Sequence, residues 1–298
     1  MDLPLAIRRL IAETCADSPQ EAIERATARS LQNYYKIATS ASRISVGILC
    51  RSLGVQLQGV PTRATMRRSL EASPGDGPAP SHSGLLDFSA PQPIISIPTG
   101  LDYLKARVSV GHELGHVLIH KRTYGYDQAT IRLGSSPVEE ALAEYAARLL
   151  LMPKTLADSS TFQLTGNLAA RCVELAHDAE VTIHAAMARV GDPDMPKIGI
   201  RGAILWRTLH PTGDSSAASL APYWHLCGDT FVPLKRGGVR QNSLVARLFL
   251  ESEGGRITDS AREDVRIGRL CGSFRVDGMA WGSRKYNSRV VLSVFRAA

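Results

Sequence analysis

His112-Glu113-Leu114-Gly115-His116 is the stretch of this chain on which chemistry can be built. On an α-helix, residues four apart lie about 40° from each other around the axis, so both imidazoles project from one face. Two neutral histidines on one face can share a tetrahedral zinc and leave positions for a third ligand and a water. Glu113 stands beside the first histidine, where a carboxylate can take a proton from that water. The H-E-x-x-H pattern therefore points to zinc-assisted hydrolysis, and the chemistry needs both the residue types and the spacing. The alternative is an amphipathic helix whose histidines border a core. The residues downstream decide between the two.

A third protein ligand is sought in the next helical stretch. Ser136-Pro137-Val138-Glu139 has the form of a capping box with proline at the first helical position, opening a helix that runs to Met152 and stops at Pro153. In such a box Glu139 is engaged with the backbone at Ser136. Glu140 is free of that duty and shares a face with Ala143, Glu144 and Ala147, where small alanines let two helices approach closely. Glu140 is thus the first candidate for the third ligand and Glu144 the second; a solvated acidic face is the plain alternative. His120 lies one further turn along the motif helix, where backbone carbonyls are the expected partners. His177 and His184 read as surface or core residues. Tyr124, Tyr126 and Tyr145 could each donate a hydroxyl to a developing oxyanion, and their spacing selects none of them.

Several elements must position these residues. Residues 5 to 37 read as two helices, the second opened by the capping box Ser18-Pro19-Gln20-Glu21. A third helix, from about Arg43 to Leu53, ends at Gly54, suited to a left-handed cap. Val55 to Val60 alternates like a strand. Residues 73 to 84 are rich in Ser, Pro and Gly and read as a loop. Leu85 to Phe88 and Ile94 to Ile97 read as strands around Pro91 and Pro93, and a helix from about Tyr103 to His120 carries the motif. That order suits an α+β zincin in which a small sheet roofs the metal helix.

In these residues the sequence resembles the ImmA/IrrE family of zinc metallopeptidases. The matching stretches are Arg107-Val108-Ser109-Val110-Gly111-His112-Glu113-Leu114-Gly115-His116-Val117-Leu118-Ile119-His120, then Glu140-x-x-Ala143 and Ala147-x-x-Leu150-Leu151-Met152-Pro153. It departs from the usual pattern at Gly111, Glu144 and Ala146. The resemblance implies that His112, His116 and Glu140 bind Zn2+ and that Glu113 is the catalytic carboxylate. It implies a zinc endopeptidase whose protein substrate is a DNA-binding helix-turn-helix repressor, cut in a stress or mobile-element response. The segment from Val173 to Val190 resembles the helix-turn-helix-like part that closes the family's catalytic domain. With few basic residues, Arg171 and Arg189, it reads as structural and not as a DNA reader.

The expected organisation is an N-terminal helical extension (1–38), a zincin-like metallopeptidase core (39–160), a helix-turn-helix-like segment (161–194) and a basic β-rich domain (195–298). Long members of the family carry a GAF-like sensor domain in that last place. Strands are expected at Ala203–Trp206, Thr230–Val232, Leu244–Leu250, Ser273–Val276 and Val290–Phe295. The formal net charge of +7 is concentrated there: residues 195–298 carry 16 Lys+Arg against 8 Asp+Glu, and the rest 19 against 20. Lys235, Arg236, Arg240, Arg262, Arg266, Arg269, Arg284 and Lys285 recur through it, so DNA contact is an expected role, with a merely solubilising surface the alternative. The five cysteines are odd in number and scattered with no C-x-x-C pair, so neither a disulfide framework nor a cysteine zinc site is indicated and reduced thiols are the simpler reading. There is no apolar leader and no span of ~20 apolar residues. A cytoplasmic protein without membrane contact is expected. The rival function is a non-proteolytic DNA- or protein-binding regulator with a structural or vestigial zinc site. Glu113 speaks against that rival, because a purely structural site has no use for the carboxylate.

Overall fold

The computed structural model describes residues 3–38, 43–60, 84–89, 91–120, 136–157, 166–192, 194–195, 200–209, 219–227, 243–251, 256–267, 270–283 and 288–297. The chain forms two compact units of mixed helix and sheet: Met1–Leu156 with Ala176–Arg189, and Ala157–Leu175 with Val190–Ala298. The loop expected over residues 73 to 84 lies outside the described residues, apart from Gly84.

In the first unit, α1 (Leu5–Thr14) and α2 (Pro19–Ile37) precede α3 (Val46–Leu53). Ser18 accepts the Glu21 amide at 3.2 Å, and Gly54 ends α3 in the left-handed region at φ 71°. Glycine is the residue that adopts this φ without steric cost. The strands β1 (Gln56–Val60), β2 (Leu85–Asp87) and β3 (Ile94–Pro98) form one sheet in the order β1-β3-β2, with β1–β3 parallel and β2–β3 antiparallel. The motif helix α4 (Tyr103–His120) and then α5 (Pro137–Leu151) follow. Ile7, Ile23, Tyr34, Leu49, Ile95, Leu114 and Leu150 lie in one buried cluster. The two N-terminal helices thus share a core with the motif helix. Arg107, buried on α4, donates to the carbonyls of Ile44, Ala179 and Glu180 and ties the turn at residues 179–180 to the motif helix.

The α4–α5 contact is set by glycine. A Cβ on Gly115 would sit 2.5 Å from the Ala143 carbonyl oxygen and 2.7 Å from its Cα. A Cβ on Gly111 would meet Leu151 Cδ1 at 2.9 Å. Helix backbones approach this closely only where side chains are absent or small. The alanine face expected on α5 is buried here, Ala143 fully and Ala147 nearly so.

Short helix α6 (Lys154–Ala157) leads on to α7 (Leu168–Asp178) and α8 (Ile183–Val190). They are linked through Glu180 at φ 52°. The boundary between the units falls within α7, so the segment 161–194 is divided between them. Arg189 is fully buried and donates to the Met152 carbonyl at 2.9 Å, so it is not displayed for phosphate contact. His177 is exposed; His184 is partly buried, and desolvation together with nearby Lys105 lowers its pKa to about 4.

The second unit holds an antiparallel sheet of β4 (Ile200–Leu209), β5 (Ser219–Cys227), β6 (Ile257–Ile267), β7 (Leu270–Ser283) and β8 (Ser288–Ala297), in the order β5-β4-β8-β7-β6. The expected strands at 203–206, 273–276 and 290–295 lie within β4, β7 and β8, while 230–232 lies outside the described residues. The strand expected at Leu244–Leu250 is instead helix α9 (Leu244–Glu251). Ser243 caps it by accepting the Ala246 amide, and Leu244, Val245 and Leu248 turn one face onto Trp206, Val276 and Phe295. A short apolar run does not by itself distinguish the two periods. Two strands were not expected, for different reasons. Pro222 within β5 argues against a strand, yet β5 lies at a sheet edge, where proline is tolerated. The other edge strand, β6, is mostly charged and polar. Buried Asp277 pairs with Arg296 at 2.7 Å and accepts from Ser260 at 2.7 Å and the Leu168 amide at 3.3 Å.

Replacing Gly115 by Ala should lower stability by about 1–3 kcal/mol, the usual range for overpacking, because the obstacle is backbone. Gly47→Ala, where a Cβ meets nothing within 4 Å, should leave stability unchanged or raised by about 0.4–1 kcal/mol. Urea denaturation of the two variants measures both, and equal effects would contradict the packing described.

Candidate metal centre

Three side chains meet where α4 crosses α5. The buried rings of His112 and His116 stand at 80° to each other with centroids 4.8 Å apart, and their Nε2 atoms are separated by 3.1 Å. Glu140 closes the triangle, with Oε2 3.2 Å from His112 Nε2 and Oε1 3.4 Å from His116 Nε2. A tetrahedral ion with bonds of about 2.0–2.2 Å places neighbouring ligand atoms about 3.3–3.6 Å apart. Two nitrogens and one carboxylate at this separation fit such an ion, and one further position would remain for water or substrate. Glu140 is 39% exposed while each histidine side chain is 4% exposed, so the centre opens on the side of Glu140. Among the described residues Glu144 joins no group of potential ligands.

Glu113 is buried beside the histidines. Burial pushes its carboxyl above the ordinary value; His112 and His116 oppose this, and the charge of Glu140 adds to it. The backbone before β2 lies against it, since a Cβ on Gly84 would come within 2.9 Å of Glu113 Oε1 and Cγ. A side chain at this position would force the Glu113 carboxylate to move.

Glu139 departs from expectation. The helix begins at Pro137 as expected, yet Ser136 makes no side-chain cap bond. Glu139 turns inward, where Oε1 lies 3.2 Å from His116 Nδ1 and 2.8 Å from His120 Nε2. Two buried imidazole donors outweigh one backbone amide at a helix start, because charge-assisted bonds are the stronger ones. His120 likewise meets this carboxylate, where a backbone carbonyl was expected. A signal existed in the sequence: His112, His116 and His120 repeat every four residues, and two glutamates stand together opposite them. Tyr145 donates its hydroxyl to Glu24 at 2.7 Å, while Tyr124 and Tyr126 lie outside the described residues.

These contacts set the charges of the metal-free centre. Burial works against a charged His116, but its bonds to Glu139 and Glu140 prevail and raise its pKa to about 9. Burial also opposes ionisation of Glu139, and the bonds from His116 and His120 overcome it, holding the carboxyl at about 2. Bonds from His112 and His116 keep Glu140 well below the usual carboxylate range.

Helix and sheet together present a His/Glu group, His112, His116 and Glu140, that could hold a metal ion. Residues 65–190 match the family model of the M78 peptidases, described as the IrrE N-terminal-like domain. No curated protein matches the chain. A solved structure described as a Mycobacterium tuberculosis transcriptional regulator is similar at 14% identity and a TM-score of 0.47, over 99% of this chain and 81% of that one. Among the described residues no helix is long and apolar enough to cross a membrane.

A metal must displace the proton that His116 holds below about pH 9. Adding a divalent transition metal to the metal-free protein near neutral pH should therefore release protons, and the release should fade as pH rises past that value. Calorimetric titrations in buffers of different ionisation enthalpy measure it. No proton release at neutral pH would contradict the charges assigned here.

Proposed function

We propose that this protein is a zinc-dependent endopeptidase. The observation that carries the reading is the meeting of His112 Nε2, His116 Nε2 and the Glu140 carboxylate within 3.1–3.4 Å of one another, with Glu113 buried beside them. His112, His116 and Glu140 would hold the zinc. Bound there, zinc supplies Lewis acidity that polarises a peptide carbonyl and activates water near neutral pH. Glu113 accepts the proton of the attacking water on its carboxylate and returns it to the departing amine. Its raised pKa suits both steps, since a base works best near the operating pH. The three-ligand set and the adjacent base favour catalysis over a structural zinc site, which normally has four protein ligands.

The family resemblance supports a helix-turn-helix repressor as substrate. The charge excess of residues 195–298 supports a DNA-proximal role for that part, where a repressor would be found. Of its basic residues, Arg262 is exposed, while Arg247 and Arg296 are already paired with Asp259 and Asp277. Lys235, Arg236, Arg240, Arg269, Arg284, Lys285 and the side chain of Arg266 lie outside the described residues.

Three measurements test the reading. His112→Ala and Glu140→Ala should lose zinc, and Glu144→Ala should keep it, by metal analysis of the purified variants. Incubation with a co-encoded repressor should show cleavage by wild type and a loss of about 10²–10⁴-fold in Glu113→Gln, the usual contribution of a general base, with zinc content unchanged. Cleavage by Glu113→Gln at the wild-type rate would refute the mechanism. Affinity of the full chain for duplex DNA should fall steeply between low and moderate salt; no affinity at low salt would refute the DNA-proximal role.

A further inference from the structure

We propose that Glu139 is a positioning residue for the metal centre: it fixes the tautomer and ring plane of His116, and His120 anchors it in turn. The inference rests on the metal-centre reading above and extends it to residues that hold no metal. His116 has two ring nitrogens, and the two adjacent glutamates of α5 serve one each. Glu140 Oε1 lies 3.4 Å from Nε2, and Glu139 Oε1 lies 3.2 Å from Nδ1. An ionised carboxylate accepts hydrogen bonds and cannot donate one. A neutral His116 facing Glu139 therefore carries its hydrogen on Nδ1 and presents the Nε2 lone pair toward Glu140 and His112. The same contact stops the ring from rotating about its Cβ–Cγ bond.

A single carboxylate on a flexible stem would hold a ring poorly, and His120 removes that freedom. One turn beyond His116 on the same helix face, it donates from Nε2 to the same Oε1 at 2.8 Å. Phe88, just past β2, stands edge-on to the His120 ring with centroids 6.0 Å apart. Glu139, His116 and His120 are all at least nine-tenths buried. Water therefore competes little for these bonds, and the orientation passes from Phe88 through His120 and Glu139 to His116. The three residues also form a group that could hold a metal themselves. Filling both groups at once would require His116 to give up both ring protons and bridge two ions as an imidazolate, so a single centre is the simpler assignment.

The test compares zinc affinity, by chelator competition, with the imidazole 1H–15N resonances of His116 in the zinc-loaded protein. Wild type should show a hydrogen-bonded, slowly exchanging Nδ1–H. Glu139→Gln, nearly isosteric but uncharged, should bind zinc about 10–100-fold more weakly, the usual effect of losing such a partner, and its Nδ1–H signal should shift and exchange faster. Glu139→Leu should lose that signal altogether, and His120→Ala should fall between wild type and Glu139→Gln. Unchanged zinc affinity in Glu139→Gln overturns the proposal. So does weaker affinity with an unaltered His116 signal, which would mean that Glu139 acts only through packing. Failure of wild type to bind zinc would sink the metal-centre reading itself, and this inference with it.

Discussion

The structure around the candidate centre depends on one backbone contact, that of Gly115 on α4 with Ala143 on α5. There is no room at that point for a Cβ, because the Ala143 carbonyl would lie 2.5 Å from it. At this crossing α5 presents Glu139 and Glu140 directly to the histidines. A wider crossing would leave two histidines facing solvent or a carbonyl, with carboxylates out of reach. The metal-ligand geometry is therefore a consequence of helix packing, and the glycine inside the motif is as necessary to it as the histidines.

That packing concentrates charge in a small volume. Three carboxylates, Glu113, Glu139 and Glu140, and three imidazoles lie within two helices, most of them buried. Buried charges are costly unless paired, and here the pairing is unequal. Glu139 and Glu140 each accept from two histidines and stay ionised, whereas at Glu113 burial, aided by the charge of Glu140, outweighs the opposing pull of His112 and His116 and pushes the carboxyl up. Neighbouring acids with opposite shifts are a mark of functional sites, where stability is given up for reactivity. Gly84 extends the same economy of space to the sheet, whose chain passes against the Glu113 carboxylate.

Much of this was legible in the sequence because it is periodic. The i, i+4 spacing placed His112 and His116 on one face, and the alanines of α5 announced a close helix contact before any coordinates. Glu140 and Glu144 share one face of that helix, so periodicity left both open as the third ligand. What was not legible is competition between partners. The capping box at Ser136 is a local rule, and Glu139 breaks it because two imidazoles brought in by tertiary packing are better partners than one amide. In the C-terminal sheet, Leu244–Leu250 was apolar enough for a strand, and only the packing of Leu244, Val245 and Leu248 on one sheet face makes it a helix. The edge strands β5 and β6 carry a proline and a run of charges, so their pairing is set by neighbours that sequence periodicity does not report.

The central claim is that His112, His116 and Glu140 together hold one zinc. X-ray absorption spectroscopy of the zinc-loaded full chain tests it most directly. The account requires nitrogen and oxygen scatterers at about 2.0–2.2 Å, with the outer-shell pattern of two imidazoles and no sulfur. A sulfur scatterer at about 2.3 Å, or the pattern of a single imidazole, would contradict it.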